Sequence, residues 1–266
     1  MQSNFEDIQI DYQEIISGDE GIKKWLEQLH YKGISIVKNA PTEKESGFDV
    51  LSNISHHRET FFKTPFEVID IPNPNNSAYT AAALRNHIDL PYYEIAPGYQ
   101  FLPCLINDAT GGESVALDGF KVASYMKENF TEYFKILLDT PVKFVNRDYT
   151  ANTIRVMHKP IFTLDHNNDF NDIRFSVAYM GIMDCSPEVM DSFYEAYRKL
   201  LSLLHDPMFE INFRLEAGDI FSFNNRRVLH GRKGYDANSG NRHLQGYYID
   251  RDEIVGRLNY LNRINP

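Results

Sequence analysis

His87-Ile88-Asp89 narrows the fold of this chain more than any other segment. In a strand, residues i and i+2 point to the same face. This imidazole and this carboxylate therefore reach one point if the segment is extended. A third donor, His230, stands far downstream in Asn225-Arg226-Arg227-Val228-Leu229-His230-Gly231. Two imidazoles and one carboxylate make the facial set that holds non-heme Fe(II) and leaves the opposite face open. Bringing His230 beside the first pair requires a sheet that closes or folds over on itself.

A His-x-Asp alone is common by chance, and a lone His in a β-rich protein is most simply a hydrogen-bonded structural residue. Arg242 adds specificity. It opens a predicted strand, Arg242 to Ile249, whose parity places Arg242, Leu244, Gly246 and Tyr248 on one face. Gly246 leaves room between the Arg and the Tyr. A buried Arg needs an anion, because an unpaired interior charge is expensive, and a dicarboxylate would fill its fork bidentately. Ser114, after the Gly111-Gly112 pair, offers a hydroxyl to the same ligand. At this level Arg242 pairing with Asp219 or Glu216 across a sheet stays open.

A length of 266 residues suits one β-rich domain. The 18 Phe and 16 Tyr, against one Trp, favour strands and a pocketed interior. A net charge of −10 argues against a nucleic-acid or anionic-membrane partner. Two cysteines without a CxxC argue against a disulfide framework or a structural zinc site and for a reducing compartment. The first residues lack a secretory pattern, and no apolar run has membrane-spanning length. The expectation is a cytoplasmic protein.

Asp19 is expected to cap a helix through Tyr31 with Ile22, Trp25, Leu26 and Leu29 inward. Thr42-Glu43-Lys44-Glu45 reads as a capping box opening a helix toward Ser55. Residues 71–77 read as loop. Strands are expected at 33–38 and 99–105, and helices at 119–129 and 131–138. Ser186 with Pro187 starts a helix whose stripe is Val189, Phe193, Tyr197, Leu200 and Leu204. Residues 210–215 and 220–223, joined by Glu216-Ala217-Gly218-Asp219, read as a β-hairpin. A terminal helix carries Ile254, Leu258, Leu261 and Ile264, facing either its own core or a homodimer seam. Strands clustered around the candidate ligands, with flanking helices, predict a mainly β fold with a double-stranded β-helix (jelly-roll) core in one domain, residues 1–266.

Several motifs occur in order: His87 to Tyr93, Pro97 to Leu102, Gly111 to Ser114, Asp118-Gly119-Phe120, Gly218-Asp219-Ile220, Asn225 to Arg232, and Arg242 to Tyr248. Together they resemble γ-butyrobetaine hydroxylase and trimethyllysine hydroxylase, within the taurine-dioxygenase-like Fe(II)/2-oxoglutarate oxygenases. The resemblance implies His87, Asp89 and His230 as catalytic iron ligands and Arg242 as the grip on the distal carboxylate of 2-oxoglutarate. It adds Asn76, Ser114 and Leu102 as co-substrate contacts. Phe62, Phe66, Tyr79 and Tyr248 match an aromatic cage for a quaternary ammonium, held by attraction to ring faces, and Leu90 and Tyr179 join them on the substrate side.

Leu90 stands where the butyrobetaine enzymes have a cage tyrosine, and Phe62 and Phe66 replace their Tyr and Trp. Their Asn-rich segment, which contacts the substrate carboxylate, is replaced near Ala178 and Tyr179. The chain is also expected to begin at the catalytic domain, without the small N-terminal zinc domain of those enzymes. The implied activity is O2- and 2-oxoglutarate-dependent hydroxylation of a small aliphatic quaternary-ammonium or amino-acid-like molecule. Two alternatives stay open: hydroxylation, desaturation or cyclisation of a different biosynthetic small molecule, and a jelly-roll binding protein without turnover.

Overall fold

The computed structural model describes residues 5–71 and 79–264. In chain order the early strands are β1 (Gln9–Asp11), β2 (Ile34–Lys38), β3 (Phe66–Ile69), β4 (Leu84–His87) and β5 (Tyr99–Asn107). Then come β6 (Thr110–Gly111), β7 (Ser114–Asp118), β8 (Val142–Asp148), β9 (Thr153–Lys159), β10 (Phe162–Leu164) and β11 (Phe170–Ile173). The last are β12 (Glu210–Phe213), β13 (Ile220–Asn224), β14 (Val228–Arg232), β15 (Tyr235–Asp236) and β16 (Arg242–Ile249). The helices are α1 (Tyr12–Ile16), α2 (Asp19–Glu27), α3 (Ser46–Ser52), α4 (Gly119–Asn129), α5 (Thr131–Asp139), α6 (Pro187–Leu204) and α7 (Arg251–Ile264).

Two sheets dominate. One has six strands in the order β1-β2-β13-β5-β16-β3, the other four in the order β12-β7-β14-β4. Among the described residues they do not close into a barrel. Ile36, Cys104, Phe221, Phe223 and Leu244 from the first pack with Ala116, Phe213 and Val228 from the second. The outer face of the six-stranded sheet is covered by α2 and α7, where Trp25, Leu26 and Leu29 meet Phe101, Tyr247, Ile254, Leu258 and Leu261. Trp25 meets Phe101 edge-on at 5.6 Å. Truncating so enclosed a residue as Leu26 to Ala would cost about 2–5 kcal/mol. The described face of the terminal helix thus packs on its own core.

The predicted hairpin at 210–223 is not one. Strand β12 pairs with β7 in the four-stranded sheet, while β13 pairs with β2 and β5 in the other. The turn between them carries the chain from sheet to sheet. Gly218 takes a φ of +90° there, and its N–H donates to Cys104 O while Cys104 N–H donates to Asp219 O. Arg214 draws β12 away by donating to the carbonyls of Asn107, Ala109 and Gly111. Turn chemistry sets the reversal; long-range partners choose the sheet.

Smaller expectations also shift. The helix at 19–27 starts after Gly18 with no side-chain cap, and Asp19 pairs with Arg257 instead. The capping-box segment is not helical, and α3 begins only at Ser46. Ser186 and Pro187 do start α6, but Val189 is exposed while Phe193, Leu200 and Leu204 are fully buried. The β8–β9 hairpin was not anticipated, because β9 has little buried apolar surface to announce it. Among the described residues no helix is long and apolar enough to cross a membrane.

Candidate metal centre and its cavity

The expected extended segment is β4, the edge strand of the four-stranded sheet, with Asp89 just past its end. Strand β14 lies against it and sets His230 directly opposite His87. The His87 and His230 ring centres are 4.4 Å apart. Asp89 Oδ1 lies 3.3 Å from His87 Nε2 and 3.8 Å from His230 Nε2. All three donor atoms fall within 4.8 Å of one another, and among the described residues this is the one group of His, Cys, Asp and Glu so arranged.

These residues fit a metal ion. Ligands at right angles about 2.1 Å from one ion stand roughly 3 Å apart, so the trio needs only a small contraction. The tautomers suit it too. His87 Nδ1 lies 2.8 Å from Arg85 O, so that nitrogen donates its proton and leaves Nε2 a free lone pair. Burial, together with the neighbouring His87 charge, pushes His230 down to about 3 and keeps it neutral. Burial opposes a charge on Asp89, but its bonds to His87 and Tyr248 and the electrostatic pull of the neighbouring imidazoles outweigh that and hold the carboxyl well below its usual range. Burial also works against protonated His87, but the bond and charge of Asp89 raise it.

Asp89 is held at its carboxylate by Tyr248 and at its backbone by Asn225. Tyr248 donates its hydroxyl to Asp89 Oδ2 at 2.6 Å. Asn225, fully buried, accepts from Asp89 N–H and donates to Asp89 O and Pro97 O. Beyond Asp89 the chain turns sharply, and Leu90 sits at φ +54°, a left-handed conformation that a bulky residue adopts only under constraint. The constraint is visible: Tyr93 N–H donates to Leu90 O, and Arg174 gathers the carbonyls of Pro91, Tyr93 and Glu94.

Phe62, Phe66, Tyr79, Leu90, Tyr179 and Tyr248 all line one cavity of about 350 Å3 together with His87 and Asp89. Phe66 stacks on Tyr248 at 5.1 Å, and Phe62 stands 6.0 Å from Phe66. Gly246 makes this stack possible: a Cβ there would lie 2.0 Å from Phe66 Cζ. The space foreseen beside Gly246 is thus filled by an aromatic ring.

Arg242 is buried at the start of β16, and its Nε has no hydrogen-bond partner. Neither acid considered from the sequence reaches it, since Asp219 pairs with Lys38 and Glu216 with Arg214. Burial, aided by the like charge of Arg232, pushes the Arg242 guanidinium down to about 10. It lies against the Gly111-Gly112 turn, where a Cβ on Gly112 would come within 3.3 Å of its Nε. Ser114, also buried, pairs across the sheet with Arg232. Arg232 donates through Nη2 to Thr80 O and Ala82 O, and its Nε, like that of Arg242, has no partner. Leu102 is half-buried in the sheet between the apolar clusters and does not line the cavity. Asn76 lies outside the described residues.

Asn225, Arg232, Tyr92 and Arg85 were not singled out from the sequence. Strand parity could have found one of them, since Arg232 follows His230 by two positions on β14, whereas β4 is irregular between Leu84 and His87 and parity says nothing of Arg85 there.

Residues 1–248 match the family model described as taurine catabolism dioxygenase TauD, TfdA family. The chain is 36% identical over 253 residues to γ-butyrobetaine dioxygenase of Pseudomonas sp. (strain AK-1), covering 95% of this chain and 66% of that protein. It is 32% identical over 258 residues to the Homo sapiens γ-butyrobetaine dioxygenase, covering 96% and 66%. The chain thus spans just under two thirds of these relatives' length. Among solved structures, an asparagine oxygenase in complex with Fe(II), 2S,3S-3-hydroxyasparagine and succinate superposes with a TM-score of 0.67 at 14% identity. It covers 88% of this chain and 83% of that one.

Proposed function

The chain belongs to the taurine catabolism dioxygenase TauD, TfdA family, and from that premise we propose that it is an Fe(II)- and 2-oxoglutarate-dependent dioxygenase. Its substrate in this reading is a small aliphatic quaternary-ammonium or amino-acid-like molecule, hydroxylated at an unactivated C–H. One observation carries the reading: His87, Asp89 and His230 converge at an aromatic cavity. The identity to two γ-butyrobetaine dioxygenases supports the substrate class.

His87, Asp89 and His230 hold the iron, and bound iron supplies activation of O2 coupled to decarboxylation of 2-oxoglutarate. The protein's own share is positioning. Tyr248 fixes the Asp89 carboxylate and Asn225 the Asp89 backbone; the Arg85 carbonyl fixes the His87 tautomer. Arg242 binds the distal carboxylate of 2-oxoglutarate, with Ser114 beside it and Arg232 adding charge. Phe62, Phe66, Tyr79 and Tyr248 present ring faces to a cation and exclude water, with Leu90 and Tyr179 completing the wall. We read the two facing sheets as a double-stranded β-helix in a single catalytic domain, residues 1–266. Free Cys104 and Cys185 fit a reducing, cytoplasmic setting.

Anaerobic addition of Fe(II) and 2-oxoglutarate should give a weak visible charge-transfer band, absent in Asp89→Ala. With O2 and a panel of trimethylammonium compounds, succinate should form and one compound should gain the mass of one oxygen. A band that persists in Asp89→Ala refutes the ligand set. Failure of 2-oxoglutarate to yield succinate refutes the activity.

A further inference from the structure

Arg232 and Arg242 are both buried, and both stand over one ring. The Arg232 Cζ lies 4.9 Å from the centre of the Tyr235 ring and the Arg242 Cζ 5.8 Å from it. Neither Nε has a hydrogen-bond partner. The Nη2 of Arg232 is engaged, donating to Thr80 O at 2.5 Å and to Ala82 O at 2.7 Å. The carbonyl between these two, Ala81 O, accepts from Tyr235 N–H at 3.1 Å. Three successive carbonyls are thus held by one guanidinium and by the residue whose ring that guanidinium shares with Arg242.

These carbonyls belong to a short irregular segment, 79–83, that leads into β4. Tyr79 and Ala83, at its two ends, line the aromatic cavity. On the other side, Gly112 N–H donates to Gly234 O at 3.1 Å, next to Tyr235. A Cβ on Gly112 would meet Tyr235 Cβ and Arg242 Nε alike at 3.3 Å. Contacts therefore run from Arg242 through Gly112 and Tyr235 to Ala81, and from Arg232 to Thr80 and Ala82.

A neutral donor could hold two carbonyls. A second guanidinium buried near Arg242 adds a repulsion that a low-dielectric interior screens poorly. A carboxylate received by Arg242 offsets that repulsion, so Arg232 keeps its buried position and its two carbonyls at lower cost. The segment that carries Tyr79 is then firmer with the anion bound than without it.

We propose that Arg232 is a positioning residue that couples the two ends of the site: an anion on Arg242 tightens the hold of Arg232 on residues 80–82 and so sets the cavity wall at Tyr79. This rests on reading the Arg242 corner as the seat of the distal carboxylate of 2-oxoglutarate. Arg232 acts through the backbone it holds and touches no substrate. By linkage, a molecule that needs Tyr79 in place binds better once the anion is bound.

The test is hydrogen–deuterium exchange, read by mass spectrometry on peptides covering 79–84 of the Zn(II)-loaded protein, so that no turnover occurs. Two ligands are compared at matched occupancy, set by calorimetry: 2-oxoglutarate, and 2-oxobutanoate, which keeps the oxo-acid end and lacks the distal carboxylate. In wild type, 2-oxoglutarate should slow exchange in this segment about fivefold or more, and 2-oxobutanoate should not. Arg232→Gln saturated with 2-oxoglutarate should show no slowing, and Arg232→Lys, which keeps the charge, should restore part of it. Circular dichroism reports that the variants fold, and the comparison of ligands in wild type needs no variant. Equal slowing by both ligands, no slowing in wild type with 2-oxoglutarate bound, or slowing that persists in Arg232→Gln overturns the proposal. So does loss of 2-oxoglutarate binding itself in Arg232→Gln, because Arg232 would then be a ligand of the anion. These outcomes leave the co-substrate reading standing; a wild type that binds no 2-oxoglutarate overturns both.

Discussion

Tyr248 donates its hydroxyl to Asp89 Oδ2 at 2.6 Å while its ring stacks on Phe66 at 5.1 Å. One side chain thus joins the metal centre to the aromatic wall. The carboxylate it touches keeps Oδ1 turned to the two imidazoles.

Tyr248→Phe keeps the ring and removes only that bond. Loss of a group that orients a metal ligand typically costs 10- to 100-fold in affinity. We expect Co(II) or Fe(II) titrations to show a loss of about tenfold, with the urea midpoint little changed. Unaltered metal affinity would mean that Asp89 is held by Asn225 alone.

Gly246→Ala places a methyl 2.0 Å from Phe66 Cζ, inside a strand paired on both sides. Overpacking of this kind costs about 1–3 kcal/mol. Phe66→Ala in the same chain should recover most of it, which a double-mutant cycle in urea measures. Independent effects of the two substitutions would show that the ring does not need the glycine.

Arg242→Met should act with opposite signs in two assays. An unpaired buried charge is costly, so an apolar side chain of similar size should raise the thermal midpoint of the ligand-free protein. The same variant should lose the further rise that 2-oxoglutarate produces in the metal-loaded wild type. A fall in the ligand-free midpoint would show that Arg242 already has a stabilising partner.

His57 supplies a pH test away from the metal. Burial, set against a backbone bond to Phe48 and aided by the charge of His56, lowers its pKa below 6.5. It stacks on Phe48 at 4.5 Å. The native side chain therefore stays neutral at pH values where the unfolded chain takes a proton. Its stabilising contribution is complete above pH 6.5 and is lost as pH falls through the lowered native value. Urea midpoints at pH 7.5 and 5.5 should fall more for wild type than for His57→Phe, which keeps the stack and cannot titrate. Equal falls would contradict the assignment.

Much of the site was legible because its signals are local. Parity alone put His87 and Asp89 within reach of one point, and the structure brings them together; Arg242 and Tyr248, aligned by the same rule, are both buried. The helical spacing of Ile22, Trp25, Leu26 and Leu29 correctly named a buried face. The double glycine did mark a turn, with φ of +87° and +75° at Gly111 and Gly112.

What the sequence determined by itself was which residues face inward and which chemistry they bring, because side-chain direction repeats with period two in strands and 3.6 in helices. Only the tertiary structure decided who meets whom. The segment at 210–223 has the pattern of a hairpin, yet its halves join different sheets, because Arg214 and the Cys104–Asp219 bonds hold them apart. Likewise Tyr248 reached Asp89 and Phe66 took the space over Gly246, both through contacts between distant stretches of chain. Periodicity carries a direction for each side chain; the partner at the end of that direction depends on where every other strand has packed.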